Sequence, residues 1–127
     1  MRECVIDTSV IMACLYSEPG GDMLPLEHGQ GYVTAINWVE VLSKLYQQAV
    51  DQQDIRHLAT DLGLAIVPFE PVHCDYAARL HARHKSRGLS YADCACLGYG
   101  HSNNLPVYTA DQLWAGLDRD TSVHLIR

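Results

Sequence analysis

Four acids in this chain stand where a carboxylate can do chemistry. Asp7 closes the apolar run Cys4-Val5-Ile6, Glu40 lies in Asn37-Trp38-Val39-Glu40, Asp93 lies in Ser90-Tyr91-Ala92-Asp93, and Asp111 follows Val107-Tyr108-Thr109 by two residues. Asp7 and Asp111 fall at the carboxyl ends of predicted strands, and Glu40 and Asp93 at the starts of helices that follow loops. In a parallel α/β sheet those strand ends and helix starts share one rim, where ligands and catalytic groups collect. Four carboxylates meeting there repel one another strongly unless cations sit between them. Hard divalent ions take oxygen ligands, and Mg²⁺ keeps several waters when a few carboxylates and a phosphate hold it. Such a site activates water and stabilises the leaving oxygen of phosphodiester hydrolysis, with no serine, cysteine or histidine nucleophile.

Each acid taken alone also has a structural explanation. Asp7 can cap a helix that begins near Ser9. Asn37 with Glu40, and Ser90 with Asp93, have the spacing of capping boxes, in which an N-cap side chain is answered by an acid three residues on. Asp111 can likewise be a helix cap. Only the joint arrangement favours a metal site over four separate caps.

The elements that must position these acids follow from local pattern. Cys4 to Ile6 has no polar alternation, as expected of a strand covered on both faces. Val10 to Tyr16 reads as a short helix broken by Ser17-Glu18-Pro19-Gly20-Gly21, and a second helical piece is expected from Gly21 to His28. Gly29-Gln30-Gly31 turns the chain into the strand Tyr32-Val33-Thr34. A stronger helix opens at Asn37, with Val41, Leu42, Leu45, Tyr46 and Ala49 at helical spacing. The next helix runs from Asp51 to Leu62, ended by Gly63. Leu64 to Phe69 is a buried strand, Pro71 to about Ser86 a helix stopped by Gly88, and Ser90 to Tyr99 a helix rich in Ala, Cys and Leu. Strands at Pro106 to Thr109 and Ser122 to Ile126 complete the chain. Strands alternating with helices predict a three-layer α/β/α sandwich on a mostly parallel sheet of four to five strands.

The 127 residues, 48% hydrophobic and 19% charged, suit one domain over residues 1–127 with a core of its own. No apolar stretch is long enough to span a bilayer, and Met1-Arg2-Glu3-Cys4 lacks the basic and apolar regions of a signal peptide, so the expectation is a cytoplasmic protein with no membrane partner. The five cysteines (Cys4, Cys14, Cys74, Cys94, Cys96) are scattered through segments expected to be buried and read as reduced core thiols rather than a zinc site. A net charge of −6 argues against a protein that grips nucleic acid mainly through a positive surface. It leaves room for a nuclease, because acids in a metal site count toward that total and bound cations do not. Arg79, His81, Arg83, His84, Lys85 and Arg87 form an acid-free basic stretch, which has the pattern of a solvated helix face.

At its acid motifs the chain resembles the PIN domains, and among them the VapC-type toxins of bacterial toxin–antitoxin pairs. The resemblance rests on Val5-Ile6-Asp7-Thr8-Ser9, Asn37-Trp38-Val39-Glu40-Val41-Leu42, Gly88-Leu89-Ser90-Tyr91-Ala92-Asp93 and Leu105-Pro106-Val107-Tyr108-Thr109-Ala110-Asp111-Gln112-Leu113-Trp114. It implies an endoribonuclease dependent on Mg²⁺ or Mn²⁺, usually a homodimer, acting on RNA and silenced by a cognate VapB-type antitoxin in its acidic groove. By the family pattern Asp7, Glu40, Asp93 and Asp111 are the catalytic metal ligands, and Thr8 and Thr109 steady them through hydrogen bonds. Many PIN domains carry a further acid at the position of Leu113, so the number of metals bound without substrate is left open. An acidic site cutting a polyanion needs positive charge nearby, which makes Arg83, Lys85 and Arg87 candidate RNA contacts. Tyr91 could stack on a base, whereas Trp114 and Trp38 are expected to pack in the core.

Other classes fit less well. A signalling receiver domain needs a phosphoacceptor Asp ending the third strand and a Lys near the fifth, but Leu64 to Phe69 runs into Glu70-Pro71 and Val107 to Asp111 holds no Lys. A haloacid-type phosphatase needs two acids spaced by one residue after the first strand, and Asp7-Thr8-Ser9 offers one. An RNA-processing PIN nuclease outside a toxin–antitoxin pair, and a non-catalytic PIN-fold binding partner, remain as alternatives.

Overall fold

β1 (Cys4–Ile6) lies at the centre of a five-stranded sheet of order β3-β2-β1-β4-β5, with β2 (Gly31–Thr34), β3 (Leu64–Val67), β4 (Val107–Thr109) and β5 (Val123–Leu125). The computed structural model describes residues 3–27, 30–117 and 120–127. All four strand pairings are parallel, and β1 pairs β2 at Val5↔Tyr32 and β4 at Val5↔Val107. The chain builds outward from β1 through β2 to β3, then returns to β1's other edge for β4 and β5. The strand order therefore reverses at β1, and Asp7 stands at that strand's carboxyl end, where open α/β sheets form ligand crevices.

Alternate residues of a strand point to opposite faces, and β1 feeds both cores in this way. Cys4 and Ile6 join Val10, Ile11 and Met12 of α1 (Thr8–Leu15), Val33 of β2 and Val41 and Leu45 of α2 (Ala35–Gln47). Val5 joins Ala77 and Leu80 of α5 (Pro71–His84), Cys94, Cys96 and Leu97 of α6 (Tyr91–Ser102), and Trp114. The result is a sheet flanked by helices, with β1 wholly buried. Burying a side chain such as Ile6 stabilises the fold by about 1.5–3 kcal/mol, so the strand that ends in Asp7 is firmly anchored.

Several boundaries differ from the sequence expectations. α2 begins at Ala35, not Asn37, because Thr34 is the N-cap and accepts from the Asn37 N–H at 3.1 Å. Glu40 is consequently in the second turn and belongs to no capping box. The single helix expected from Asp51 to Leu62 is two short ones, α3 (Gln52–Ile55) and α4 (Leu58–Asp61), and Gly63 after them has φ +73°, a left-handed turn with its Cα against the Leu26 carbonyl. The piece expected from Gly21 to His28 is a 3₁₀ turn over Gly21–Met23, while His28 and the expected turn residue Gly29 lie outside the described residues. α5 ends at His84 and a 3₁₀ turn (Lys85–Arg87) leads to Gly88. α6 continues past Tyr99 to Ser102. All five cysteines are free, but Cys74 is exposed and Cys14 only half-buried, so the thiols are not uniformly core. Among the described residues no helix is long and apolar enough to cross a membrane.

Candidate functional site

Asp7 is 3% exposed and is the N-cap of α1. Its Oδ2 accepts from Ser9 Oγ (2.6 Å), Thr109 Oγ1 (3.0 Å) and Ser9 N (3.4 Å). Ser9 Oγ in turn accepts from Ala110 N (2.9 Å), and Thr109 Oγ1 from Asp111 N (3.0 Å), so the end of β4 is stitched to the end of β1. Asp111 caps a 3₁₀ turn (Gln112–Trp114), with Oδ1 accepting from Leu113 N at 2.9 Å. Asp93 completes a capping box: its Oδ2 accepts from Ser90 N (2.9 Å) while its own N–H donates to Ser90 Oγ (3.1 Å). Glu40 Oε1 accepts from Thr8 Oγ1 at 2.7 Å.

One rule runs through these contacts. Each of the four carboxylates has one oxygen tied to the protein, while the other accepts no hydrogen bond among the described residues. Three of the four also cap helix starts, and in each the cap occupies one oxygen and leaves the second without a protein donor among the described residues.

The acids feel one another. Burial pushes the Asp7 carboxyl up to about 6, the Asp93 charge adds to the rise, and the Ser9 and Thr109 hydrogen bonds only partly offset it. Asp93 is also raised, first by burial and then by the charges of Glu40 and Asp111. The Cys96 thiol is raised by burial first and then by the charges of Asp7, Asp93 and Glu40. Hard carboxylate oxygens in mutual repulsion are chemically suited to a hard divalent cation. Among the described residues no three His, Cys, Asp or Glu side chains are grouped so as to hold a metal ion by themselves. An ion held here would need waters or a substrate oxygen to complete its shell. Leu113 adds no ligand: its side chain is 54% exposed and only its N–H serves the site.

A folded pKa above the ordinary value means that the folded state holds the Asp7 proton more tightly than the unfolded chain. The Asp7 contribution to stability is therefore present below about pH 4 and lost as pH rises through about 6. In EDTA, Asp7→Asn should gain on wild type by about 2.4 kcal/mol between pH 4 and pH 7, read by urea unfolding at each pH. A difference that stays constant with pH would show that this carboxyl titrates normally.

Two residues that sequence reasoning did not assign to the site hold it together. Asn37 is 0% exposed: its Oδ1 accepts from Thr34 Oγ1, and its Nδ2 donates to the Ala92 carbonyl (3.2 Å) and to Thr8 Oγ1 (3.4 Å). It thereby ties α2, which carries Glu40, to the starts of α1 and α6. The signal was present, since Asn37 falls on the same stripe as buried Val41 and Leu45, four and eight residues on. Ser9, the hub between Asp7 and Ala110, had no signal beyond its adjacency to the acid.

The remaining candidates spread out. Trp114 is fully buried and Trp38 packs half-buried against the α1–α2 core, whereas Tyr91 is open to solvent. Arg83, Lys85 and Arg87 are exposed. Lys85 and Arg87 occupy the turn into α6, but Arg83 lines a cleft with Tyr76, Arg79, Leu80, His101 and Asp120, and none of the four acids is among its lining residues. Arg79 of the same stretch is paired with Asp75 one helical turn back.

No curated protein matches the chain at a significant level. Solved structures do. A toxin–antitoxin complex from Klebsiella pneumoniae superposes with TM-score 0.76 at 17% identity, over 98% of each chain. DNA-bound VapBC from Salmonella typhimurium gives TM-score 0.76 at 12% identity over the whole of both chains. VapBC-5 from Mycobacterium tuberculosis gives 0.65 at 20% identity, over 100% of this chain and 99% of that one. Identities this low speak to the fold alone. The sequence pattern of the PIN domain matches residues 4–119, which takes in all four acids and the strand-order reversal at β1, and the chain therefore belongs to the PIN domain family.

Proposed function

We propose that this chain, as one PIN domain over residues 1–127, is a divalent-cation-dependent endoribonuclease and the toxin of a toxin–antitoxin pair. The observation that carries the nuclease reading is the set of four carboxylates, each with one oxygen fixed by the protein and one left for a ligand. Membership of the PIN family supports it, and the likeness to solved toxin–antitoxin complexes favours the toxin role. When bound, Mg²⁺ or Mn²⁺ would lower the pKa of water and neutralise charge on the phosphoryl and leaving oxygens.

Asp7, Glu40, Asp93 and Asp111 are the proposed ligands. Asp7 is the most rigid of them, held by two hydroxyls and a backbone N–H, and Thr109 carries that restraint across to Asp111. Thr8 orients Glu40, the acid on the longest side chain and so the one with most rotamer freedom to lose. Lys85 and Arg87, in the turn that leads to Asp93, are the proposed contacts to the RNA backbone, with Arg83 more peripheral. A cognate VapB-type antitoxin, a homodimeric assembly and a cytoplasmic location complete the proposal.

The direct test is incubation of the purified protein with end-labelled RNA. Endonucleolytic fragments are expected with Mg²⁺ or Mn²⁺ and not with EDTA, and intact RNA under every condition would defeat the reading. A finer expectation concerns Thr8. Thr8→Val keeps the shape and removes the hydroxyl that orients Glu40, so divalent-cation affinity measured by calorimetry should fall about 10- to 100-fold, with Thr8→Ser restoring most of it. Equal affinities for Val and Ser would show that Glu40 needs no such restraint.

A further inference from the structure

We propose that Tyr91, stacked on His81, is a platform for an unpaired base of the RNA cut at the acid rim, an inference that rests on the nuclease reading above. Tyr91 is the first residue of α6 and stays 75% exposed, more than any other large apolar side chain among the described residues. It is not loose. One face of its ring lies on the His81 imidazole of α5, with centroids 4.0 Å apart and planes at 20°. A backed, oriented ring with an open face lacks only a further flat partner.

Position makes that partner a base. Tyr91 precedes Asp93 by two residues, so their Cα atoms are about 5.4 Å apart on the helix while their side chains leave it on different sides, and the ring is placed for a neighbouring nucleotide of the strand rather than for the one whose phosphate is at the acids. Lys85 and Arg87 lie exposed in the short turn that joins the helix of His81 to that of Tyr91, a source of positive charge for the phosphates of a bound strand. Aromatic rings interleaved with cations are how proteins hold single strands, because every unpaired base offers a π-face. A duplex hides its base faces in its own stack and cannot use such a ring. Two other rim residues share the trend: Val39, beside Glu40, is 64% exposed, and Leu113, two residues beyond Asp111, is also open. A docking protein helix would favour a continuous aliphatic groove, whereas Tyr91 presents one flat face backed by His81.

The test compares Tyr91→Ala and Tyr91→Phe with wild type on a labelled single-stranded RNA that the protein cleaves, and on a duplex of the same sequence. Loss of a stacked base should raise KM for the single strand about 5- to 100-fold in Tyr91→Ala, with kcat within about twofold. Tyr91→Phe keeps the ring and should stay within about twofold of wild type, while duplex affinity does not respond to either change. Anisotropy in EDTA, with the cleavage-impaired Asp7→Asn protein as background, should show the same ratio in direct binding. An unchanged KM in Tyr91→Ala overturns the platform and leaves the exposed ring to a protein contact. So does Tyr91→Phe failing as badly as Ala, or an equal loss on duplex RNA. In those cases wild type still cleaves, whereas a wild-type protein that cleaves no RNA defeats the nuclease reading itself.

Discussion

If the proposed site is right, Asp7→Asn should lower cation-dependent RNA cleavage by about 10²- to 10⁴-fold and yield a protein that folds and, at neutral pH without metal, is more stable than wild type. The size follows from losing several kcal/mol of charge stabilisation in the transition state, at about 1.4 kcal/mol per tenfold in rate. The site's own hydrogen bonds make Asn a particularly poor substitute. Ser9 Oγ, Ser9 N and Thr109 Oγ1 all donate to one oxygen of Asp7. In the amide, that position must be taken by the carbonyl, so the NH₂ replaces the free oxygen and points a donor where a cation needs an acceptor. Stability moves the other way, because the substitution removes a buried charge that burial and Asp93 both disfavour. Cleavage assays and thermal melts on one preparation check both halves. Lost activity accompanied by a lower melting temperature would mean that the variant merely unfolds and that the ligand role is unsupported.

Asn37→Ala has the largest expected structural cost of any substitution near the rim. It leaves the Ala92 carbonyl and the Thr34 hydroxyl buried without the partner they have now, and it cuts the link between α2 and the starts of α1 and α6. A buried polar group left unsatisfied costs about 1–3 kcal/mol, so a loss of about 3 kcal/mol is expected, or roughly 10 °C in melting temperature for a chain of this size. Glu40 and Asp93 flank the broken link, and cleavage should fall about 10- to 100-fold even well below the melting temperature, as it does when groups that orient metal ligands are removed. Asn37→Asp keeps the shape but loses the donor to Ala92 and adds a negative charge beside four others, so it should cleave no better than Asn37→Ala. A variant within 1 kcal/mol of wild type at full activity would show that the three helices hold their relation without this side chain.

The sheet was readable from the chain because its strands are short apolar runs between clear turn residues, and parallel pairing follows when helices alternate with them. Boundaries failed where tertiary partners decide. Asn37 resembles a helix cap in isolation, yet Thr34 takes the cap and Asn37 turns inward, because its side chain can bond three elements that sequence separates by as many as 55 positions. The split between α3 and α4 is not encoded by a Gly or Pro between Ile55 and Leu58, so local pattern could not signal it. The four acids were legible as types and spacings, but their common design was not: that each carboxylate is tied at one oxygen and open at the other depends on hydroxyls and backbone N–H groups brought in by folding. The basic stretch was legible only as charge. Its members diverge once α5 gives way to the turn at Lys85, which separates Arg83 from Lys85 and Arg87.

The measurement closest to the central claim is an anomalous difference map from crystals grown with Mn²⁺. The four-carboxylate account predicts a peak at the carboxyl end of β1, within bonding distance of the free oxygen of Asp7 and of at least one of Glu40, Asp93 and Asp111, and absent from Asp7→Asn crystals. A saturating Mn²⁺ soak that leaves this rim empty, or places the ion elsewhere in the molecule, would contradict it.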